Sequence, residues 1–233
     1  MIVAIDGPAA SGKSSTARWV AQRLGYRHVD SGALYRTVTL LALRELGDPD
    51  GWENRAVAAL GTRVTLIPVP AGFEPAVDGE PADEAVRGPE VTGHVSAVAQ
   101  MPAVRAWVNG RVREAGAEHD VVVDGRDIGT VVFPDAPLKV FLVADPWERA
   151  RRRLVQRLSR RPSDDEIAEE TERLVERDAR DATQTVQARD AVLIDTTALT
   201  QAEQVDRIVA LARARERLDA AADEGGRPVD APR

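Results

Sequence analysis

The sequence contains no cysteine, and only 4% of its 233 residues are aromatic. The missing cysteine excludes disulfides, thiolate metal centres and cysteine nucleophiles together. No run approaches the roughly 20 apolar residues that a membrane-spanning helix needs. Positive charge is in deficit: 31 Lys and Arg stand against 38 Asp and Glu, a formal net charge of −7. That balance argues against a general nucleic-acid binder, because neutralising a phosphate backbone takes a cationic excess. The opening Met1-Ile2-Val3-Ala4-Ile5-Asp6 carries no basic segment with a cleavable apolar stretch behind it. A cytoplasmic protein is therefore expected, with neither a membrane nor a nucleic acid as partner. What is present suits a folded domain: 43% of residues are hydrophobic and 30% charged. A chain of this length buries roughly 70–75% of its unfolded surface.

Short apolar runs alternate with longer amphipathic ones, the pattern of a parallel sheet flanked by helices. Residues 2–6, 27–30, 121–124, 139–144 and 191–195 read as five strands. Helices are expected over 13–24, 33–45, 52–60, 89–99 and 103–117, with Ser31 capping the second and Asp50 the third. Between residues 63 and 84 the rhythm changes to period two, with a turn at Asp78-Gly79, which predicts a small antiparallel β insertion. Residues 147–181 are highly charged and helical, broken at Arg161-Pro162-Ser163, and Thr200-x-x-Glu203 is a capping box for the last helix. The expectation is one α/β domain over 1–222, a three-layer fold around a five-stranded parallel sheet. An insertion falls within about 31–100, a helical lid at about 147–181 and a flexible tail at 223–233. A monomer is expected.

The strongest motif is Gly7-Pro8-Ala9-Ala10-Ser11-Gly12-Lys13-Ser14, which fits G-x4-G-K-[ST] between a strand and a helix. Glycines let backbone N–H groups curl around phosphate oxygens, and the helix start adds positive potential. The loop through Ser15 is thus expected to hold ATP. Lys13 reaches the β- and γ-phosphates, and the Ser14 hydroxyl is placed to ligate Mg²⁺. This motif says nothing about what receives the phosphoryl group.

Two further segments follow strands. Asp30-Ser31-Gly32-Ala33-Leu34-Tyr35-Arg36 opens a helix, and its Tyr and Arg lie one turn on, toward the strand ends where ligands of open α/β sheets bind. Asp124-Gly125-Arg126-Asp127 places an arginine fork and two carboxylates at another strand end, with Asp124 in position to influence Mg²⁺. An arginine cluster, Arg149 to Arg161, reads as a mobile lid that neutralises a migrating phosphoryl group. No aromatic residues interleave it for base stacking. His28, His94 and His119 show no metal-ligand spacing and read as incidental. No Asn-Lys-x-Asp segment is present for reading guanine.

These motifs, with Pro89-Glu90-Val91-Thr92, Val95-Ser96-Ala97, Pro102-x-Val104-Arg105, Arg177-Asp178-x-x-Asp181 and Ala191 to Thr197, resemble bacterial cytidylate kinase in the same chain order over residues 1 to about 212. The resemblance implies the P-loop nucleoside monophosphate kinase fold and transfer from ATP to CMP or dCMP. It implies that Arg36 and Arg126 hold the CMP phosphate, and that Ser96, Arg105 and Asp127 read the cytosine edge. Arg177 and Asp181 would contact the sugar and its phosphate, while Ser31 and Tyr35 line the pocket. Lys13, Arg126, Arg153 and Arg157 would act on the phosphoryl group in flight. The chain departs from the pattern after Asp181: the family's usual arginine is Gln184, and the following Pro-Leu turn is missing. A phosphate-facing glutamine there implies a working but weakened enzyme, with Arg180 covering part of the deficit. The alternatives are a P-loop kinase for UMP or a small metabolite, or a non-catalytic nucleotide-binding protein.

Overall fold

Strands that are apolar on both faces must be covered on both faces, and that requirement builds the fold. The computed structural model describes residues 1–82 and 84–225. Its strands are β1 (Ile2–Asp6), β2 (Arg27–Asp30), β3 (Val64–Val69), β4 (Gly72–Val77), β5 (Glu80–Pro81), β6 (Val121–Asp124), β7 (Leu138–Val143) and β8 (Val192–Asp195). Parallel pairing runs β2-β6-β1-β7-β8, so the five expected strands form one parallel sheet with β1 at its centre. The insertion is not a separate sheet. β3 and β4 form an antiparallel hairpin, β5 pairs with β4, and β4 joins the edge of β2 where His28 meets Gly72. At Gly72 (φ +155°) a Cβ would stand 2.3 Å from the His28 carbonyl oxygen, so only glycine lets the hairpin dock.

The helices are α1 (Lys13–Leu24), α2 (Ser31–Glu45), α3 (Asn54–Leu60), α4 (Pro89–Val98), α5 (Pro102–Glu118), α6 (Pro146–Leu158), α7 (Asp164–Asp181) and α8 (Gln201–Gly225). Helices α1 and α8 cover one face of the sheet through Val20 and Ile208 against Ile5 and Leu142. The other face packs Val29 and Val123 against Leu34, Val57 and Val108 from α2, α3 and α5. Each such side chain contributes about 1.5–3 kcal/mol. A third cluster, Leu154, Ile167 and Leu174 with Ala9, ties α6 and α7 to the phosphate loop.

Several expected boundaries move. Asp30, not Ser31, caps α2, accepting from the Ala33 N–H at 3.0 Å. The third helix starts at Asn54, because Pro49–Gly51 forms a separate 3₁₀ turn and Asp50 lies inside it. The Thr200–Glu203 box is present, and Ser163 with Glu166 makes a second one at α7. Residues 223–225 of the expected tail continue α8, while 226–233 lie outside the described residues. No helix among the described residues is long and apolar enough to cross a membrane. Strands β1, β2 and β6 all end in aspartate, namely Asp6, Asp30 and Asp124, at the edge where the cleft opens.

Candidate active site

The phosphate loop leaves β1 and turns into α1. Gly7 (φ +145°) lies against β7, where a Cβ would meet the Leu142 carbonyl oxygen at 2.1 Å. Ala10 (φ +56°) and Gly12 (φ +89°) take left-handed conformations that curl the loop. Residues Ala9 to Ser15 line a cleft of about 920 Å³, while Gly7 and Pro8 stand behind it. Lys13 Nζ donates to the Pro8 carbonyl at 2.6 Å and to Ser11 Oγ at 3.4 Å. Burial, then repulsion from Arg126, drives the Lys13 pKa well below its ordinary value. A phosphate placed beside it restores the charged form.

Ser14 Oγ donates to Asp124 Oδ2 at 2.5 Å, and His28 Nε2 lies 2.7 Å from Asp124 Oδ1. Burial alone would raise the Asp124 pKa, but His28, Ser14 and Lys13 hold it below the usual value. Converging hydroxyl and carboxylate oxygens fit a hard, oxygen-seeking cation such as Mg²⁺. His28 is therefore not incidental. It is buried on β2 and orients the carboxylate at the end of β6 that faces Ser14. Two further anchors were not visible in the motif: Asp6 accepts from the Ile128 and Gly129 N–H groups at 2.8 Å each, and Asp178 accepts from the Ala9 N–H at 3.0 Å.

Across the cleft, Ser31 Oγ donates to the Asp124 carbonyl at 2.7 Å, and Tyr35 is pushed up to about 12 by burial. Arg36 Nη1 donates to Thr92 Oγ1 at 3.0 Å and to the Val86 carbonyl at 3.3 Å. Its pKa falls to about 10 through burial and repulsion from Arg177 and Arg87. Arg177 likewise falls to about 10, through burial and Arg126. Asp181 Oδ2 lies 3.5 Å from Arg126 Nε and 3.8 Å from Arg177 Nε, yet both Nε–H groups are buried without a hydrogen-bond partner. Two guanidiniums crowded against a single carboxylate leave positive charge in excess, which suits an anion in the cleft. At the far end Arg105 pairs with Asp127 and donates to the Ala99 carbonyl at 3.0 Å, with buried Ser96 of α4 beside them in the lining.

A family model described as cytidylate kinase matches residues 3–214. The chain belongs to the cytidylate kinase family. It is 44% identical over 212 residues to a cytidylate kinase of Limosilactobacillus fermentum (strain NBRC 3956 / LMG 18251), covering 88% of this chain and 92% of that one. It is 42% identical over 223 residues to a cytidylate kinase of Mycobacterium avium (strain 104), covering 94% and 97%. In fold it is similar to the crystal structure of an uncharacterized protein from Eubacterium ventriosum ATCC 27560, at 11% identity and a TM-score of 0.50, covering 91% and 97%.

Set against the family pattern, three expectations change. Gln184, expected on the phosphate side, accepts at Oε1 from Arg105 Nη1 at 2.9 Å, the guanidinium that also pairs with Asp127. Arg180 is exposed and not part of the lining, so it covers no deficit there. Of the lid arginines, Arg153 lines the cleft and lies 3.1 Å from Glu170 Oε1, whereas Arg157 points out one turn further on, 3.7 Å from Glu170 Oε2. The arginine missed by any ranking of the cluster is Arg149. It is buried and spans the Ala9 carbonyl at 2.7 Å and Asp178 Oδ2 at 2.6 Å, clamping lid to phosphate loop. Arg152 donates to the Thr196 and Thr197 carbonyls at 2.7 and 3.0 Å, tying the loop after β8 to the lid.

Proposed function

We propose that this chain transfers the γ-phosphoryl group of ATP to CMP and dCMP, giving CDP or dCDP and ADP, with Mg²⁺ as the cation. The observation that carries this reading is the mutual crowding of Arg36, Arg126 and Arg177, with Asp181 beside the last two, in the lining of the same cleft as Lys13. Two anion sites in one cleft suit a donor and an acceptor that each bring phosphate.

A phosphate oxygen of CMP attacks the γ-phosphorus, the bond to the bridging oxygen breaks, and ADP departs with that electron pair. Monophosphate oxygens are already ionised near neutrality, so no side chain has to remove a proton. The protein's task is alignment and charge. Lys13 and the loop N–H groups hold the donor phosphates. Arg36, Arg126 and Arg177 hold the acceptor phosphate, with Asp181 between the last two. Ser14 and Asp124 would hold Mg²⁺, which supplies charge neutralisation on the donor phosphates when bound. Arg153 stands at the lid edge, and lid closure brings Arg157 in and excludes water. Asp127, an acceptor, faces the exocyclic amine of cytosine, with Arg105 beside it and Ser96 on the wall.

The test is ADP formation by purified protein across CMP, dCMP, UMP, AMP and no acceptor, with calorimetric CMP binding to Lys13→Ala in parallel. CMP and dCMP should be strongly preferred. The lysine variant should lose transfer by at least about 10²-fold while its CMP affinity holds within about threefold. ADP release independent of acceptor would favour a nucleotide switch, and preference for UMP a different pyrimidine kinase.

A further inference from the structure

Three side chains from three elements close the base end of the cleft: Asp127 after β6, Arg105 in α5 and Gln184 after α7. Arg105 is the middle member. Its Nη1 donates to the Ala99 carbonyl at 3.0 Å and to Gln184 Oε1 at 2.9 Å, and its Nη2 donates to Asp127. A guanidinium has five N–H donors. Both on Nη1 are used by these contacts, which leaves one on Nη2, beside Asp127, and the one on Nε. Gln184 thereby fixes which edge of Arg105 faces the cleft. It does so without charge, whereas an arginine at 184 would set a second guanidinium against the first. Burial raises the Asp127 pKa, and pairing with Arg105 works against that rise. As a carboxylate, Asp127 offers acceptors only.

We propose that Gln184 is a specificity-determining positioning residue, which holds Arg105 against Asp127 so that this pair accepts the pyrimidine bearing an exocyclic amine and rejects the one bearing a carbonyl there. The inference rests on CMP being the acceptor. A carboxylate facing the uracil carbonyl sets two acceptors against each other, and that mismatch is the source of discrimination. Once Gln184 lets go, Arg105 is free to turn, Asp127 loses its fixed partner, and the mismatch softens.

The experiment is steady-state kinetics with CMP and with UMP, each at saturating ATP, for the parent, Gln184→Ala, Gln184→Met, Gln184→Glu and Gln184→Arg, with the ATP KM measured for each. In Gln184→Ala, kcat/KM for CMP should fall about three- to tenfold while that for UMP holds or rises, so the CMP/UMP ratio drops by at least that factor. The ATP KM should stay within about twofold, which a general disturbance of the fold would not allow. Gln184→Glu keeps an acceptor for Arg105 and should restore the ratio. Gln184→Met keeps the length without the acceptor and should match alanine; it decides the matter if the alanine variant fails to fold. Gln184→Arg should lower the ratio. An equal change for both pyrimidines in the alanine or methionine variant, or a gain for both in Gln184→Arg, would place residue 184 on the phosphate side and overturn the proposal. A parent that forms no ADP with CMP would instead overturn the acceptor reading beneath it.

Discussion

Asp6 ends β1 and bonds backbone N–H groups 122 and 123 residues further on, in the π-helical turn Ile128–Val132 that follows Asp127. Those two bonds favour its ionised form, but burial outweighs them and raises its pKa to about 6. The sign follows directly. Between about pH 4 and pH 6 the folded protein keeps a proton that the unfolded chain has released, so stability falls as pH rises through that window. Above it, both states are ionised and the loss levels off at about 3 kcal/mol at most. Carboxyl carbon shifts should show Asp6 titrating near pH 6, and Asp6→Asn should flatten this slope in denaturant midpoints measured from pH 4 to 7. A midpoint near 4 for this carboxyl would show that the backbone bonds outweigh burial. Nothing in the sequence marked Asp6, nor His28, whose partner Asp124 is 96 residues away. Lys13, Ser14, Arg36 and Arg126 were legible because their spacing within one turn carries the chemistry. Residues that act across paired strands have no such local signature.

Elements show the same division. Strands β1, β6 and β7 were legible from apolar runs, and α1 from the loop before it, because each is dictated by its own few residues. The clamp between lid and phosphate loop was not, since it joins Ala9 to Arg149 of α6 and Asp178 of α7. As one charge among many in an arginine-rich helix, Arg149 looked like its neighbours. Burial separates it: its side chain is 5% exposed, against 49% for Arg151. Removing the partner of a buried guanidinium leaves an uncompensated charge, and here it also leaves the Ala9 N–H unpaired. Asp178→Ala should therefore destabilise the fold by on the order of 3 kcal/mol, a little less than a fully buried pair because Asp178 is 23% exposed. Glu148→Ala, which releases the half-exposed Arg151 and leaves Arg152 on the Thr196 and Thr197 carbonyls, should cost under about 1 kcal/mol. Urea unfolding of both variants checks the contrast, and similar losses from the two would remove the clamp's special standing.

At the scale of the molecule, charge is sorted. The cleft lining holds nine cationic side chains, Lys13 and eight arginines, against five carboxylates, an excess of four positive charges. The chain as a whole carries −7, so the remainder carries −11. Net charge argues against a general nucleic-acid binder, but it conceals this local inversion, which appears only when Arg36, Arg105, Arg126 and Arg177 are folded into one cleft. A concave basic site in an acidic shell focuses the field on small anions and repels large ones that contact the outer surface. Association of CMP and ATP should then be assisted electrostatically, and salt should screen that assistance. The Debye length falls from about 30 Å at 0.01 M to about 8 Å at 0.15 M, which is shorter than a typical cleft and its rim. Raising KCl from about 0.01 to 0.3 M should increase the CMP KM several-fold through a slower association rate, with kcat changing less than about twofold. Stopped-flow association with a fluorescent cytidine monophosphate analogue separates the two. The slope of log association rate against the square root of ionic strength should be negative for the parent and flatter for Arg87→Ala, which removes one exposed cleft-lining charge paired with Asp30 at 3.1 Å. A salt-independent association rate would mean that the outer acidic surface cancels the cleft's field before a ligand arrives, and that the arginines act only after contact.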